Sequence, residues 1–165
     1  MTESYLTEVV LQAAGRECSR ATSYPIEASD IRKWALASYW PEQPPQHFID
    51  AEVAPEDFDP FAWGPAHYES LLPDDDGSVI VRHGINERAL GFPDWKFRAG
   101  LNGGMNCTYG MRMHVGDVIT DTKSCGEYTE RQGRNGLMLI TQSISTWTNQ
   151  NGEVVKRTIN SGIRF

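Results

Sequence analysis

The sequence predicts one α+β domain with helices first and an antiparallel sheet last. Its 165 residues suffice for a single domain with its own core. Apolar residues recur at helical spacing in residues 1–40, and apolar and polar residues alternate along residues 101–165. The part between them, residues 41–100, holds every proline except Pro25 and is expected to be irregular. We interpret these parts as segments of a single domain.

Two helices are expected in the N-terminal part. The first ends at Gly15, and a short extended piece follows at residues 23–26. The second begins near Ser29, a good cap residue, and ends before Pro41. The apolar residues of the first helix are Leu6, Val9, Val10 and Ala13, and those of the second are Ile31, Trp34, Ala35 and Tyr39.

Four strands are expected in the C-terminal part. The strongest alternation runs over residues 105–115, and strands at residues 117–125 and 137–148 follow it. Asn151 and Gly152 form the best hairpin signal, because both tolerate a positive φ. In the middle part only residues 78–82 have the pattern of a strand. The last strand would carry Val155, Ile159, Ile163 and Phe165 on one face and Lys156, Thr158, Asn160 and Arg164 on the other.

Composition excludes several classes of function. Hydrophobic residues at 39 % and charged residues at 22 % indicate a globular rather than a disordered chain. A net charge of −7 argues against binding to nucleic acid or to an anionic membrane surface. No apolar run is long enough to span a membrane, and the N-terminus lacks the basic start of a secretory signal. A cytoplasmic protein is therefore expected.

The cysteines do not indicate a metal site. Cys18, Cys107 and Cys125 are odd in number and far apart in the sequence, which fits free thiols in a reducing compartment. No paired Cys or His spacing is typical of a metal-ligand set. Cys107 lies among the apolar residues of its strand, and we interpret it as a buried, unreactive thiol. Neither a metal nor a cofactor is expected.

Six short segments carry a family resemblance. They are Ala14-Gly15-Arg16-Glu17, Tyr24-Pro25-Ile26, Asp30-Ile31-Arg32, Leu101-Asn102-Gly103-Gly104, His114-Val115-Gly116-Asp117-Val118 and Thr148-Asn149-Gln150-Asn151-Gly152-Glu153. In this order and spacing they resemble the N-terminal domain type of MaoC-like dehydratases, which includes FAS1-like dehydratases and (R)-specific enoyl-CoA hydratase subunits. The likeness covers most of the chain and is weakest between about residues 55 and 98.

The resemblance implies a hot-dog fold, in which an antiparallel sheet wraps around a central helix. Members of the family hydrate or dehydrate thioesters of CoA or of an acyl-carrier protein. They work as two hot-dog halves, either fused or as paired subunits. The resemblance therefore implies a second MaoC-like hot-dog subunit, or a homodimer, as the partner of this chain.

The family's catalytic pair maps onto this chain in two ways. Hydration of an enoyl thioester needs a base and an acid, which the family supplies as Asp and His in a D-x-N-P-x-H pattern. In one register Glu42 takes the Asp position and His47 the His position, with Pro44 replacing the Asn. In the other register Phe48 takes the His position and Asp50 matches the acid that follows it, and the pair is absent. The sequence leaves both registers open.

The central helix of the hot-dog fold is expected to be shortened or missing. Two prolines and a glycine fall within residues 60–65, where the helix should lie. A sheet without that helix would leave an open trough for a bulky acyl group, and aromatic residues could line it. Alternatively, the same aromatic residues fill the core in place of the helix. They are Phe58, Phe61, Trp63, Trp95 and Phe97.

Six residues are candidates for contact with the substrate, each with a structural alternative. Phe61 and Trp63 belong to the aromatic set. Asn102 precedes Gly103 and Gly104. These two glycines could bring the backbone close to a pantetheine arm, or could merely shape a bend before a strand. Arg112 could reach a CoA phosphate, or could simply be solvated on the sheet surface.

These observations leave four hypotheses for the function. The first is a substrate-holding subunit of a heteromeric enoyl-CoA hydratase or 3-hydroxyacyl dehydratase. The second is a self-sufficient homodimeric hydratase that uses Glu42 and His47. The third is a hot-dog thioesterase, which would need a carboxylate at a helix N-terminus. The fourth is an acyl-CoA binding module without catalysis.

Overall fold

In the computed structural model the chain forms a five-stranded antiparallel sheet with few helices. The structure describes residues 4–62, 87, 90–93, 95–134 and 136–165. The helices are α1 (Glu8–Leu11), α2 (Ala28–Tyr39) and α3 (Gln46–Ile49). The strands are β1 (Glu17–Thr22), β2 (Gly100–Tyr109), β3 (Thr120–Gly133), β4 (Gly136–Thr148) and β5 (Val154–Arg164), in the spatial order β1-β3-β4-β5-β2. This architecture confirms the predicted antiparallel hot-dog class.

The N-terminal part contains a strand that the sequence analysis missed. Helix α1 is only four residues long, although Val10 and Ala13 are buried as its spacing predicts. Strand β1 then pairs antiparallel with β3, where Arg20 is opposite Thr122. The expected extended piece at residues 23–26 was therefore placed too late. Local spacing cannot reveal β1, because its partner lies about a hundred residues away in the sequence.

The N-cap of helix α2 lies two residues earlier than expected. Its cap is Glu27 rather than Ser29, because the Glu27 side chain and the Asp30 side chain each accept a hydrogen bond from the other residue's backbone N–H. This capping box satisfies two amides at the start of the helix. The buried face contains Ile31 and Ala35, as predicted, but Tyr39 is exposed.

Strand β2 lies earlier in the chain than the alternating pattern indicated. It ends at Tyr109, and residues 110–119 form turns and irregular structure instead of continuing the strand to residue 115. Gly110 marks the end, since a Cβ there would meet the carbonyl oxygen of Val154 at 2.2 Å. At the other end, Gly103 and Gly104 lie at a register shift within β2 and not in a bend before it.

The hairpin between β4 and β5 is as predicted. Gly152 has a φ of +78°, and its N–H donates to the carbonyl of Asn149 at 3.0 Å. Strand β4 spans Gly136–Thr148, in agreement with the predicted apolar run. Strand β3 is longer than expected and continues to Gly133. The predicted strand at residues 78–82 lies outside the described residues.

The sheet presents two faces, one of which we call the inner face. Across one row of the inner face, Ala21, Asp121, Trp147, Lys156 and Tyr109 are neighbours on successive strands. The next row across β3, β4, β5 and β2 is Lys123, Ser145, Thr158 and Cys107, and the one after it is Cys125, Ser143, Asn160 and Met105.

Two apolar clusters lie at opposite ends of the inner face. The first contains Trp147 with Ile31 of α2 and Phe58, whose ring lies 5.8 Å from that of Trp34. The second contains Cys125, Tyr128 and Leu139, together with Val10, Ala13 and Phe92. Polar side chains occupy the rows between the clusters, so the middle of the face is not part of either core.

Helices are scarce in the described residues. Residues 50–62 form turns, and the remainder of the interval in which a central helix was expected lies outside the described residues. No helix of the described part is long and apolar enough to cross a membrane.

Candidate functional site

An open cleft of about 390 Å³ crosses the inner face. All five strands contribute to it, and Asp59 and Phe61 of the segment after α3 also line it. Alternate residues of β2, β3, β4 and β5 line its floor, as expected for one face of a sheet. The residues that line the cleft are Ser19, Arg20, Ala21, Asp59, Phe61, Met105, Cys107, Tyr109, Asp121, Lys123, Ser145, Trp147, Lys156, Thr158 and Asn160.

Asp121 is the centre of a polar cluster on the cleft floor. It is 8 % exposed, and it accepts a hydrogen bond of 2.6 Å from the Ser145 hydroxyl. The ammonium group of Lys123 lies 3.8 Å from its carboxylate. The negative charge of Asp121 is therefore compensated within the fold.

Lys156 lies beside this cluster and is held by aromatic rings. Its Nζ is 4.5 Å from the ring centroid of Trp147 and 5.8 Å from that of Tyr109. Within the described part of the chain, no carboxylate forms an ion pair with it. The pKa of the Tyr109 hydroxyl is raised, chiefly by the neighbouring Cys107 and next by burial. Tyr109 therefore stays protonated at neutral pH.

A second cleft, of about 500 Å³, lies further along the sheet and shares Asn160 with the first. Asn102 lines it, together with an ion pair between Glu87 and Arg164 at 2.6 Å. The Tyr128 hydroxyl donates to Glu87 at 3.0 Å, and the pKa of Tyr128 is raised by burial and by the Glu87 charge. The carboxylate of Glu87 is therefore already paired with the side chains of Arg164 and Tyr128.

Glu42 and His47 lie away from both clefts. Glu42 is exposed just after α2, and His47 is exposed on α3, with its ring 4.1 Å from that of Phe48. Neither residue lines the clefts described above, and no ion pair or hydrogen bond between their side chains occurs in the described part of the chain. Phe48, the alternative at the His position, is buried at 6 % exposure.

The aromatic candidates separate into two groups instead of lining one trough. Phe61 stacks edge-on against Trp147 at 5.2 Å and borders the first cleft, whereas Phe58 is fully buried. Trp95 and Phe97 pack together in the second cluster. Trp63 lies outside the described residues. Most of this set therefore serves as core filling, and Phe61 alone among its described members reaches the cleft.

The remaining candidates for substrate contact, Arg112 and residues 102–104, do not lie together in one cleft. Gly104 has a φ of +120° and its N–H donates to the Asn102 side chain at 2.9 Å, so this part of β2 is a locally bonded irregularity at the sheet edge. Arg112 lies beyond β2 and forms a 2.8 Å ion pair with Glu56. The structure thus does not bring Arg112, the two glycines and Phe61 together in the first cleft.

Two features of the site were not predicted from the sequence. The first is that polar residues of several strands meet on one cleft floor; the pattern of the last strand predicted only that Lys156, Thr158 and Asn160 share a face. The second is the proximity of Cys18 and Cys125, whose sulfur atoms are 3.4 Å apart across β1 and β3. Burial and the neighbouring thiol raise the pKa of Cys18 to about 12. In the described part of the chain, no group of three or more His, Cys, Asp and Glu residues is arranged to hold a metal ion.

Solved structures of low sequence identity share this fold. The ChsH1-ChsH2 complex from Mycobacterium tuberculosis matches with a TM-score of 0.61 at 15 % identity, covering 96 % of this chain and 89 % of that chain. The MaoC-like dehydratase from Rhodospirillum rubrum matches with a TM-score of 0.51 at 17 % identity, covering 91 % and 92 %. The HadBC (3R-hydroxyacyl-ACP dehydratase) complex from M. tuberculosis matches with a TM-score of 0.51 at 14 % identity, covering 90 % and 98 %.

These likenesses show the hot-dog fold. The family model described as "FAS1-like, dehydratase domain region" matches residues 12–158, so the chain belongs to this family. No curated protein gives a significant sequence match. Family and fold together support a hydratase or dehydratase role.

Proposed function

We propose that the chain is the substrate-holding subunit of a heteromeric acyl-thioester hydratase or dehydratase. In this proposal the inner-face cleft holds the acyl group of a CoA or acyl-carrier-protein thioester. A second hot-dog chain supplies the general base and acid. The observation that carries the proposal is the separation of the cleft from Glu42 and His47, which are exposed and do not line it.

The location of Glu42 and His47 supports the proposal that a second chain supplies the general base and acid. A catalytic pair must converge on the reacting carbons, within hydrogen-bond reach of the substrate or of one water. His47 faces solvent on α3, whereas its neighbour Phe48 contributes to the buried interior. This arrangement favours the register in which Phe48 occupies the family's His position and the pair is absent.

The edge strand β2 supports the presence of a partner. Its ten residues are exposed except for Cys107, and it lies at the end of the strand order. Leu101 and Met105 are 58 % and 68 % exposed. An exposed edge strand of this length is a template for pairing with another chain. The ChsH1-ChsH2 and HadBC structures are themselves complexes of different subunits.

The test combines binding with turnover. The purified chain is titrated with a trans-2-enoyl-CoA by calorimetry, and hydration is followed by loss of enoyl absorbance. We expect binding without hydration. Hydration should appear on co-expression with a hot-dog chain that carries the Asp and His pair, and it should survive His47→Ala. Hydration by the chain alone that disappears in His47→Ala and in Glu42→Gln would establish the self-sufficient enzyme instead.

Two neighbouring residues of β5 provide a matched pair of blocking variants. Thr158 lines the cleft, whereas Arg157 is exposed on the opposite face. Thr158→Trp should abolish thioester binding because the indole fills the cleft, and Arg157→Trp should leave it unchanged. Equal binding by both variants would place the acyl group elsewhere. Binding that never leads to hydration with any hot-dog partner would define a binding module.

A further inference from the structure

The ammonium group of Lys156 has no anionic partner among the described residues. It lies half-buried over the ring of Trp147 at 4.5 Å, with Tyr109 on its other side. A lysine ammonium offers three hydrogen-bond donors and accepts none. The rings hold the charge in place without using those donors. The head of Lys156 is therefore oriented and still able to bind an oxygen ligand.

The carboxylates of the cleft are already engaged. Asp121 accepts a hydrogen bond from Ser145 at 2.6 Å and lies 3.8 Å from Lys123. Asp59 accepts a hydrogen bond from the backbone N–H of Phe61 at 2.8 Å. Glu56 and Asp57 act on the neighbouring Tyr109 through their charge, but neither forms an ion pair with Lys156. Lys123 is compensated by Asp121, which leaves Lys156 as the cleft ammonium without a counter-ion in the described part of the chain.

The neighbours of Lys156 on β5 and β4 include polar residues that line the cleft. Thr158 and Asn160 continue along the same face of β5, and Ser145 lies on β4 opposite Thr158. A plain alkyl chain laid along these residues would desolvate their hydroxyl and amide groups without replacing their hydrogen bonds, which costs binding energy. A substrate with an oxygen-bearing end avoids that cost.

We infer that the cleft selects acyl thioesters whose acyl chain ends in a carboxylate, and that Lys156 binds this carboxylate. This inference rests on the proposed function and specifies its substrate class. The carboxylate would accept hydrogen bonds from the Lys156 ammonium, with Thr158 and Asn160 as further polar neighbours. A charge-assisted hydrogen bond in a partly dehydrated site is stronger than a neutral one, which provides the selectivity.

Calorimetric titration with matched ligands tests the inference. Adipyl-, suberyl- and sebacyl-CoA, each with a free terminal carboxylate, are compared with hexanoyl-, octanoyl- and decanoyl-CoA on the wild-type chain. We expect at least one diacid thioester to bind about tenfold more tightly than its alkyl counterpart. The preference should disappear in Lys156→Gln and Lys156→Met and persist in Lys156→Arg. Lys33→Gln, on the exposed surface of α2, should leave it unchanged.

The other outcomes distinguish failure of this inference from failure of the proposed function. Equal binding of the two ligand series overturns the inference and leaves the proposed function standing. Weakening of both series by the same factor in Lys156→Gln assigns Lys156 to a phosphate of CoA, which also overturns it. If no thioester binds, the proposed function fails, and free suberate against octanoate then tests the site directly. Suberate binding that Lys156→Gln removes would retain the carboxylate site, and absence of suberate binding would refute it.

Discussion

Asp121 illustrates how a charged side chain is accommodated on the cleft floor. A buried carboxylate is costly unless its charge is paired and its oxygens accept hydrogen bonds. The Ser145 hydroxyl and the Lys123 ammonium together meet that requirement. The three residues lie on adjacent positions of β3 and β4, so the sheet register itself assembles the cluster.

Removal of the Asp121 carboxylate should destabilise the fold. Asp121→Ala leaves the Ser145 hydroxyl without its acceptor and Lys123 without its counter-charge, and we expect a loss of about 2 kcal/mol in the free energy of unfolding. Asp121→Asn retains an acceptor oxygen and should lose less. Urea unfolding of the variants measures both. Equal losses for Ala and Asn would show that the hydrogen bond to Ser145 is not what stabilises this position.

At the scale of elements, the end of β2 depends on a close backbone approach. Gly110 donates its N–H to the carbonyl of Val155 at 2.8 Å, and a side chain there would collide with the Val154 carbonyl at 2.2 Å. The obstacle is backbone, so no side-chain rotation can relieve it. The strand therefore ends at this glycine, although apolar and polar residues continue to alternate beyond it.

Substitution of Gly110 should destabilise the protein more than substitution of Gly100, the glycine at the other end of β2. Gly110→Ala should destabilise the protein by about 1–3 kcal/mol, because the new methyl group displaces the start of β5. Gly100→Ala is the matched control, since a Cβ there meets nothing closer than the Ile163 carbonyl oxygen at 3.9 Å. Urea unfolding midpoints provide the comparison. A Gly110→Ala variant as stable as Gly100→Ala would contradict the close approach.

At the scale of the whole molecule, the exposed edge strand β2 favours association with a second chain. Strand β1, at one edge, has six residues, whereas β2, at the other, has ten and exposes apolar side chains. The longer edge offers more unpaired backbone groups to a second chain. We therefore expect the chain purified by itself to pair through β2.

A charge on this edge should weaken self-association. Leu101→Lys introduces a like charge on both strands of an edge-to-edge pair, and we expect sedimentation velocity to show a shift from dimer to monomer. Leu36→Lys serves as the control, because Leu36 is similarly exposed, at 50 %, but lies on α2. A monomeric wild-type chain, or an equal loss in both variants, would refute pairing through β2.

The sequence by itself determined the features that depend on near neighbours in the chain. The β4–β5 hairpin follows from Asn151 and Gly152, and the buried face of α2 follows from the spacing of Ile31 and Ala35. The family resemblance of six short segments predicted the hot-dog fold. These signals are local, since turn chemistry and periodicity act over a few residues.

Only the tertiary structure decided which distant residues meet. The registers across five strands bring Asp121, Ser145 and Lys156 onto one cleft floor, and they bring Cys18 against Cys125. His47, which the family resemblance placed in a possible catalytic pair, lies on α3 and does not line that cleft. The strand registers could not be predicted from the sequence, because a one-residue change in register moves a whole strand's side chains to the other face. No local pattern fixes that choice, because it is made by pairing with strands far away in the chain.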